Sequence, residues 1–338
     1  MEIFYAAGLN PYRIVGTSAS TALSSSHLCS NLCPYVLNCL NIGLENKDSS
    51  LSGVVIANSC DAMRRLYDVW QHYVKTPFIY LLDLPKIATN DSKRYFRKCL
   101  SELITAIENH YKVEITEKAL KDAIILCNET RQLLDQLCNL RKEDKLPLAS
   151  PQVLSIVKES MKGCRNKFNE ELSSLLAGFK DHNAVQSKEL SSENKGHRIL
   201  ISGGYADEAG LIKIVEESGG RVVCEDLCTG IRYLQGQVEI NDEPIAALAE
   251  YYLEKMPCAR MVDSNRRLEY LLDIINGYSI KGVIYYSLKF CDTNIFEFPY
   301  LRKELRHRKI PLLFLESDGS LCGSGQVKTR VQAFLEML

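Results

Sequence analysis

Four short runs of aliphatic and β-branched residues, separated by stretches of helical length, limit the fold of this chain more than any other feature. They are HRILIS (197–202), RVVCED (221–226), GVIYYSL (282–288) and IPLLFLES (310–317). Short apolar runs bounded by turn signals and alternating with helices are strands of a sheet covered on both faces. Gly203 and Gly204 turn the first run into YADEAGLIKIVEESG, a helix closed by Gly219 and Gly220. Helices are expected around PIAALAEYYLEKM, SNRRLEYLLDIINGY and residues 293–308, and QVKTRVQAFLEML is a terminal helix. An open, mostly parallel sheet follows from this alternation.

The pattern occurs once more near the start. GVVIAN (53–58) reads as a buried strand, and DAMRRLYDVWQHYVKT as a helix with Met63, Leu66, Tyr67 and Trp70 at helical spacing. Pro77 precedes a second strand, FIYLLD (78–83), so this segment is a parallel βαβ unit. Between the two α/β segments the character is helical. SKRYFRKCLSELITAIENHY and ITEKALKDAIILCNETRQLLDQLCNLRKE are amphipathic, Thr116 is a candidate cap, and a third helix is expected from Pro151 to about Ala177. KVEI (112–115) is a weak strand candidate, and residues 181–197 read as a polar linker. The predicted fold class is α/β, with two Rossmann-like open parallel-sheet domains and an intervening helical segment. The predicted boundaries are 1–84, 85–196 and 197–338; a chain of 338 residues at roughly 150 per domain agrees with that division.

Forty-one basic and 42 acidic residues leave a formal charge of −1, which argues against nucleic acid as a partner. The start, MEIFYAAGLNPYR, lacks the basic and apolar regions of a secretory signal, and no run reaches eighteen apolar residues. The expectation is a cytoplasmic protein with no membrane association. Thirteen cysteines in such a compartment are not a disulfide framework; they are buried thiols or soft metal ligands.

Ligands of open α/β sheets bind outside the carboxyl ends of the strands, and several cysteines fall there. Cys60 follows GVVIAN, Cys291 follows GVIYYSL, Cys224 and Cys228 close RVVCEDLC, and Cys322 lies beyond IPLLFLES. Cys29 and Cys33 lie in HLCSNLCPYVLNC, and Cys258 follows Met256 and Pro257. Thiols from these segments could converge on an iron–sulfur cluster or, with the same donors, on zinc. Cys99, Cys127, Cys138 and Cys164, in the helical middle, read as packed thiols.

Other polar residues carry a functional and a structural alternative. The hydroxyl-rich GTSASTALSSSH (16–27) is either a substrate-binding loop or a plain turn. Gly203-Gly204 is either an anion-binding turn or a tight turn alone; without a full GxGxxG there is no nucleotide fingerprint. His27 is a cluster neighbour or proton donor near Cys29, or a surface histidine; Glu225 and Asp226 position substrate or relay protons, or cap the next segment. Arg64 and Arg65 bind phosphate or an acidic partner, or are exposed helix residues. The basic run with Arg302, Lys303, Arg306, Arg308 and Lys309 is a solvated helix face or a docking surface. No Ser–His–Asp order or HExxH supports a hydrolase.

Several segments together resemble the 2-hydroxyacyl-CoA dehydratase D-component family, which includes benzoyl-CoA reductase subunits and double-cubane cluster proteins. They are EIFYAAGLNPYRIVG (2–16), NLCPY (31–35), NSCDAMRRLYD (58–68), VVCEDLCTGIRYL (222–234), KMPCARM (255–261), GVIYYSLKFCD (282–292) and the stretch from 310 to 338. The resemblance implies two α/β domains facing a [4Fe–4S] cluster held by one cysteine from each of three segments, here Cys33, Cys60 and Cys291. In the dehydratases one iron stays open, an ATP-hydrolysing iron–sulfur activator delivers one electron, and a ketyl radical of the acyl-CoA allows loss of the hydroxyl. The EDLCTG and MPC elements are closer to the double-cubane branch, where six thiolates hold two cubanes joined by a sulfide. Cys228, Cys258 and Cys322 then complete the set, with Cys29 and Cys224 in reserve. SCD replaces the usual TCD, Thr293 follows KFCD where proline is usual, and the usual first strand before AAGL is missing.

The resemblance therefore implies a low-potential iron–sulfur reductase of a small unsaturated substrate, as a homodimer. The alternatives are a 2-hydroxyacyl-CoA dehydratase subunit with one [4Fe–4S] cluster in a heterodimer, a non-catalytic electron carrier or inactive paralogue, and a plain α/β protein with inert thiols.

Overall fold

The computed structural model describes residues 1–16, 21–45, 51–182, 196–205, 208–255, 258–319 and 325–338. It is a mixed α/β fold with two parallel sheets, as the alternating pattern predicts. Two helices absent from the sequence reading come first: α1 (Glu2–Ala6) and α2 (Pro34–Glu45). Proline at the first helical position suits the start of α2, because that N–H has no intrahelical partner. β1 (Val54–Ala57) leads through α3 (Asp61–Tyr73) to β2 (Ile79–Leu82), and the strands pair in parallel with Val54 opposite Ile79. α2 lies close on α3 because position 43 is glycine: a Cβ there would meet the Trp70 ring at 2.6 Å.

The helical middle opens with α4 (Asn90–Tyr111) and α5 (Glu117–Lys142), capped by Thr89 and Thr116 through the N–H groups of Ser92 and Ala119. KVEI is not a strand. Lys112 ends α4 in the left-handed region, and the Ile115 N–H donates to Glu108 rather than to a neighbouring strand. The single helix expected from Pro151 is two, α6 (Ser150–Glu159) and α7 (Arg165–His182). Gly163 at φ +65 breaks the path, and the Arg165 guanidinium donates to the Ser160 carbonyl across the break. The predicted linker lies mostly outside the described residues.

The second sheet contains β3 (His197–Gly203), β4 (Gly220–Asp226), β5 (Gly282–Leu288) and β6 (Leu312–Ser317), all parallel, in the order β4–β3–β5–β6. Its helices are α8 (Glu208–Glu217), the short α9 (Ile231–Leu234), α10 (Pro244–Glu254), α11 (Ser264–Gly277), α12 (Asp292–His307) and α13 (Gly325–Leu335). The chain leaves β3 toward β4 and then crosses to β5 and β6 on the other side. The strand order thus reverses between β3 and β5, which is where open α/β sheets leave a crevice at their carboxyl ends.

Leu28, Val36, Leu40 and Trp70 share one core with Ile199, Ile201, Leu211 and Ile284, so the first α/β unit packs against one face of the second sheet. On the other face, Leu134, Leu137 and Val157 of the helical middle pack with Leu200, Val223 and Tyr285. A third core joins α1, α4 and α5 to α10 through Ile3, Leu103, Ile124 and Leu248. The helical middle is therefore built into the body of the protein.

Candidate functional site

Three of the predicted cysteines occupy the same local position, directly before a helix. Cys33 precedes α2, Cys60 is the N-cap of α3, and Cys291 is the N-cap of α12. The Cys33 carbonyl accepts from Val36, the Cys60 carbonyl from Arg64 and the Cys291 carbonyl from Asn294 and Ile295, so each backbone opens its helix. Cys60 and Cys291 arrive there from the ends of β1 and β5. A sulfur at a helix N-terminus faces free N–H groups and the positive end of the helix dipole, which favour its thiolate.

The fold brings these three together. Cys33 and Cys291 are neighbours, and their interaction raises the Cys33 thiol and lowers that of Cys291. Cys60 is within electrostatic reach of both. Burial raises the Cys60 thiol, against the opposing pull of the Met63 and Ala62 N–H groups; neither is aligned well enough to form a capping hydrogen bond. Cys33 is buried, whereas Cys60 and Cys291 are half-buried, so the group has an inner wall and an accessible mouth.

Cys228 and Cys258 adjoin this group. Burial raises the Cys228 thiol, and both Cys258 and Cys291 lie within its electrostatic reach. The Cys228 backbone is held by Arg13, whose guanidinium donates to its carbonyl at 2.9 Å. Arg260 donates twice to the Pro85 carbonyl, at 2.8 and 2.7 Å, and senses both Cys258 and Cys60. Cys322 lies outside the described residues. Among the described residues, no three His, Cys, Asp or Glu side chains are gathered tightly enough to hold a single metal ion.

The other thiols separate by burial. Cys224 is inside β4 and packs with Val223, Leu200 and Cys138, where burial pushes its thiol well up. Cys99, Cys127 and Cys138 are buried, as expected of packed thiols. Cys164 is not: it is exposed, because it falls in the break between α6 and α7. Cys29 is exposed in the turn ahead of α2.

Glu225 and Asp226 are structural. Glu225 receives two hydrogen bonds from Arg141, at 2.6 and 2.7 Å, which tie α5 to β4. Asp226 accepts from Ser202 at 2.6 Å and pairs with Arg267 and Arg232. Arg65 bonds Asp68 on its own exposed helix face, Arg64 is exposed, and His27 packs on Tyr73 with ring centroids 4.2 Å apart. The hydroxyl-rich loop is described from Thr21 onward, where Ser24 and Ser25 both donate to the Thr21 carbonyl. The basic run spans the last turns of α12 and the residues just after it, and Phe298, Pro299, Arg302, Lys303, Arg306 and His307 line an open concavity there.

Asn294 is not singled out by the sequence, and Gly204 is singled out there only as an anion-binding turn or a tight turn. The Asn294 amide donates to the Cys291 sulfur at 3.0 Å, and the Thr293 hydroxyl lies 3.6 Å from the same atom. Gly204 also makes a close approach: a Cβ there would meet the Asn294 amide nitrogen at 2.5 Å. The one available signal was the C-x-x-N spacing at a strand-to-helix junction, which puts the asparagine one turn above the thiol.

Comparison with known proteins gives a uniform result. The profile described as 2-hydroxyglutaryl-CoA dehydratase, D-component, matches residues 1–338. YjiM of Escherichia coli (strain K12), whose name gives it only provisionally as a dehydratase subunit, is 29% identical over 100% of this chain and 88% of its own. The (R)-phenyllactyl-CoA dehydratase beta subunit of Clostridium sporogenes is 22% identical over 100% of this chain and 88% of its own. A benzoyl-CoA reductase subunit of Thauera aromatica is 24% identical over 95% of this chain and 84% of its own.

Proposed function

This chain belongs to the 2-hydroxyglutaryl-CoA dehydratase D-component family, and from that premise we propose that Cys33, Cys60 and Cys291 hold an iron–sulfur cluster serving low-potential reduction. The observation that carries the proposal is the convergence of Cys33, Cys60 and Cys291, within electrostatic reach of one another, at the N-termini of three helices.

The donor set fits such a group. All three donors are thiols, and each stands where backbone N–H groups favour the charged sulfur. A single ion would need its ligands packed around one point. A cubane spreads its thiolates over different irons, so looser spacing around a common mouth suits it better. When bound, such a cluster supplies electrons one at a time at low potential. The protein's share is electrostatic and steric. The Asn294 amide and the N–H groups of Ala62 and Met63 favour negative charge on sulfur, Arg260 adds a positive charge within electrostatic reach of Cys60 and Cys258, and buried Cys33 closes the inner side.

The preferred form is a double-cubane reductase of a small unsaturated substrate, with Cys228, Cys258 and Cys322 as the further ligands. The nearness of Cys228 to both Cys258 and Cys291 favours it. The second form is a 2-hydroxyacyl-CoA dehydratase subunit with one [4Fe–4S] cluster and an acyl-CoA substrate, favoured by relatives named as dehydratase beta subunits. Either form needs an ATP-dependent iron–sulfur activator as electron donor, and a second subunit, identical in the first form and homologous in the second. Iron and acid-labile sulfide are to be counted per chain after anaerobic purification. About four irons support the single cluster and about eight the double one, and their absence contradicts both forms.

A further inference from the structure

We propose that Asn294 is a positioning residue that sets the reduction potential of the bound cluster through its hydrogen bond to Cys291, and that Gly204 exists to admit it; this rests on the cluster reading above. Nothing about residue 294 is fixed by the helix it belongs to, since the first turn of α12 would form with almost any side chain there. Its surroundings are nevertheless specific.

Three contacts define the side chain, and a buried ion-pair network stands behind one of them. Its Nδ2 donates to the Cys291 sulfur at 3.0 Å. Its Oδ1 accepts from the Tyr285 hydroxyl at 3.2 Å, and that hydroxyl is shared with Glu297 at 2.7 Å. Glu297 pairs with Arg267 at 3.4 Å, and Arg267 in turn binds Asp226 and Ser202 at the ends of β4 and β3. Finally, Gly204 faces the amide so closely that any Cβ would intrude on it. Asn294 is itself only 6% exposed. A buried polar network locked at several points restricts the amide to one position, and the sulfur is the acceptor at its end.

The chemistry gives the sign. A metal-bound thiolate accepts hydrogen bonds and cannot donate them, so the amide nitrogen rather than its oxygen must face it. Reduction adds negative charge to the cluster and its sulfurs. A donor at 3.0 Å therefore stabilises the reduced form more than the oxidised form and raises the potential. Gly204→Ala keeps the amide but pushes it off the sulfur, so it acts in the same direction as removing the amide.

The test is an anaerobic redox titration of the iron-loaded full chain, read by electron paramagnetic resonance, for wild type, Asn294→Leu and Gly204→Ala, with iron counted for each. Both variants are expected to keep their iron and to lower the reduced-to-oxidised ratio at fixed potential by roughly tenfold, about 59 mV for a one-electron couple. Unchanged potentials in variants that retain iron overturn the inference and leave the cluster reading standing. Wild-type protein that takes up no iron overturns both. If Asn294→Leu fails to hold iron, Gly204→Ala decides: a lowered potential supports the role, and an unchanged one refutes it.

Discussion

Cys33 and Cys291 are neighbours at the site, within electrostatic reach of each other, although one opens α2 near the start of the chain and the other opens α12 near its end. The contact depends on α2 packing against one face of the second sheet, in the core shared by Leu40 and Ile284. The site is thus a property of the whole fold, and predictions about packing bear on it as directly as predictions about thiols.

Within the same core, α2 meets α3 at Gly43, against the Trp70 ring. Gly43→Ala would drive a methyl group into the Trp70 ring, which is buried and cannot retreat. Overpacking of this kind costs about 1–3 kcal/mol. Urea unfolding should show a lower midpoint with an unchanged slope; an unchanged midpoint would show that α2 can shift freely.

Arg141 and Glu225 are both nearly dry, at 8% and 5% exposure. Arg141→Met strands a carboxylate beside β4 and should cost about 3–5 kcal/mol. The double variant Arg141→Met with Glu225→Leu should recover most of that loss in the same unfolding assay. A single variant as stable as wild type would mean that the pair does not anchor α5 to the sheet.

Lys255 gives a pH signature. Burial and the nearby Arg131 guanidinium lower its ammonium from 10.5 to about 7, while it donates to the Tyr233 carbonyl at 2.9 Å. Between these two values the unfolded chain holds the proton and the folded chain does not, so stability rises with pH across that window. Below about 7 both states are protonated and the penalty is complete. Lys255→Met should remove this slope, so the variant's stability advantage is greatest at neutral pH and shrinks as pH rises. Parallel stability curves would contradict the assignment.

The choice between one and two cubanes falls on Cys228 and Cys258. If they are ligands, alanine at either should reduce iron from about eight per chain toward four. If anaerobic wild type already holds about four, these variants should keep them.

The strands were legible because each is a short apolar run with a turn signal at its end, as in GVIYYSL, which coincides with β5. The helix α2 was not, since the cysteines of HLCSNLCPYVLNC drew the reading toward ligands while Pro34 marked a helix start. Two distinctions needed three dimensions. Cys224 and Cys228 are equally plausible by spacing, yet one lies within a strand and packs, while the other lies past the strand's end. Asn294 and Gly204 meet only because β3 and β5 are neighbours in the sheet.

The most direct test of the account is the iron content of Cys60→Ala and Cys291→Ala against Cys224→Ala and Cys127→Ala, all purified anaerobically with wild type. The account predicts loss of iron and of the cluster's visible absorption in the first two, and wild-type values in the last two. Equal effects in all four, or full iron retention without Cys60 and Cys291, would contradict it.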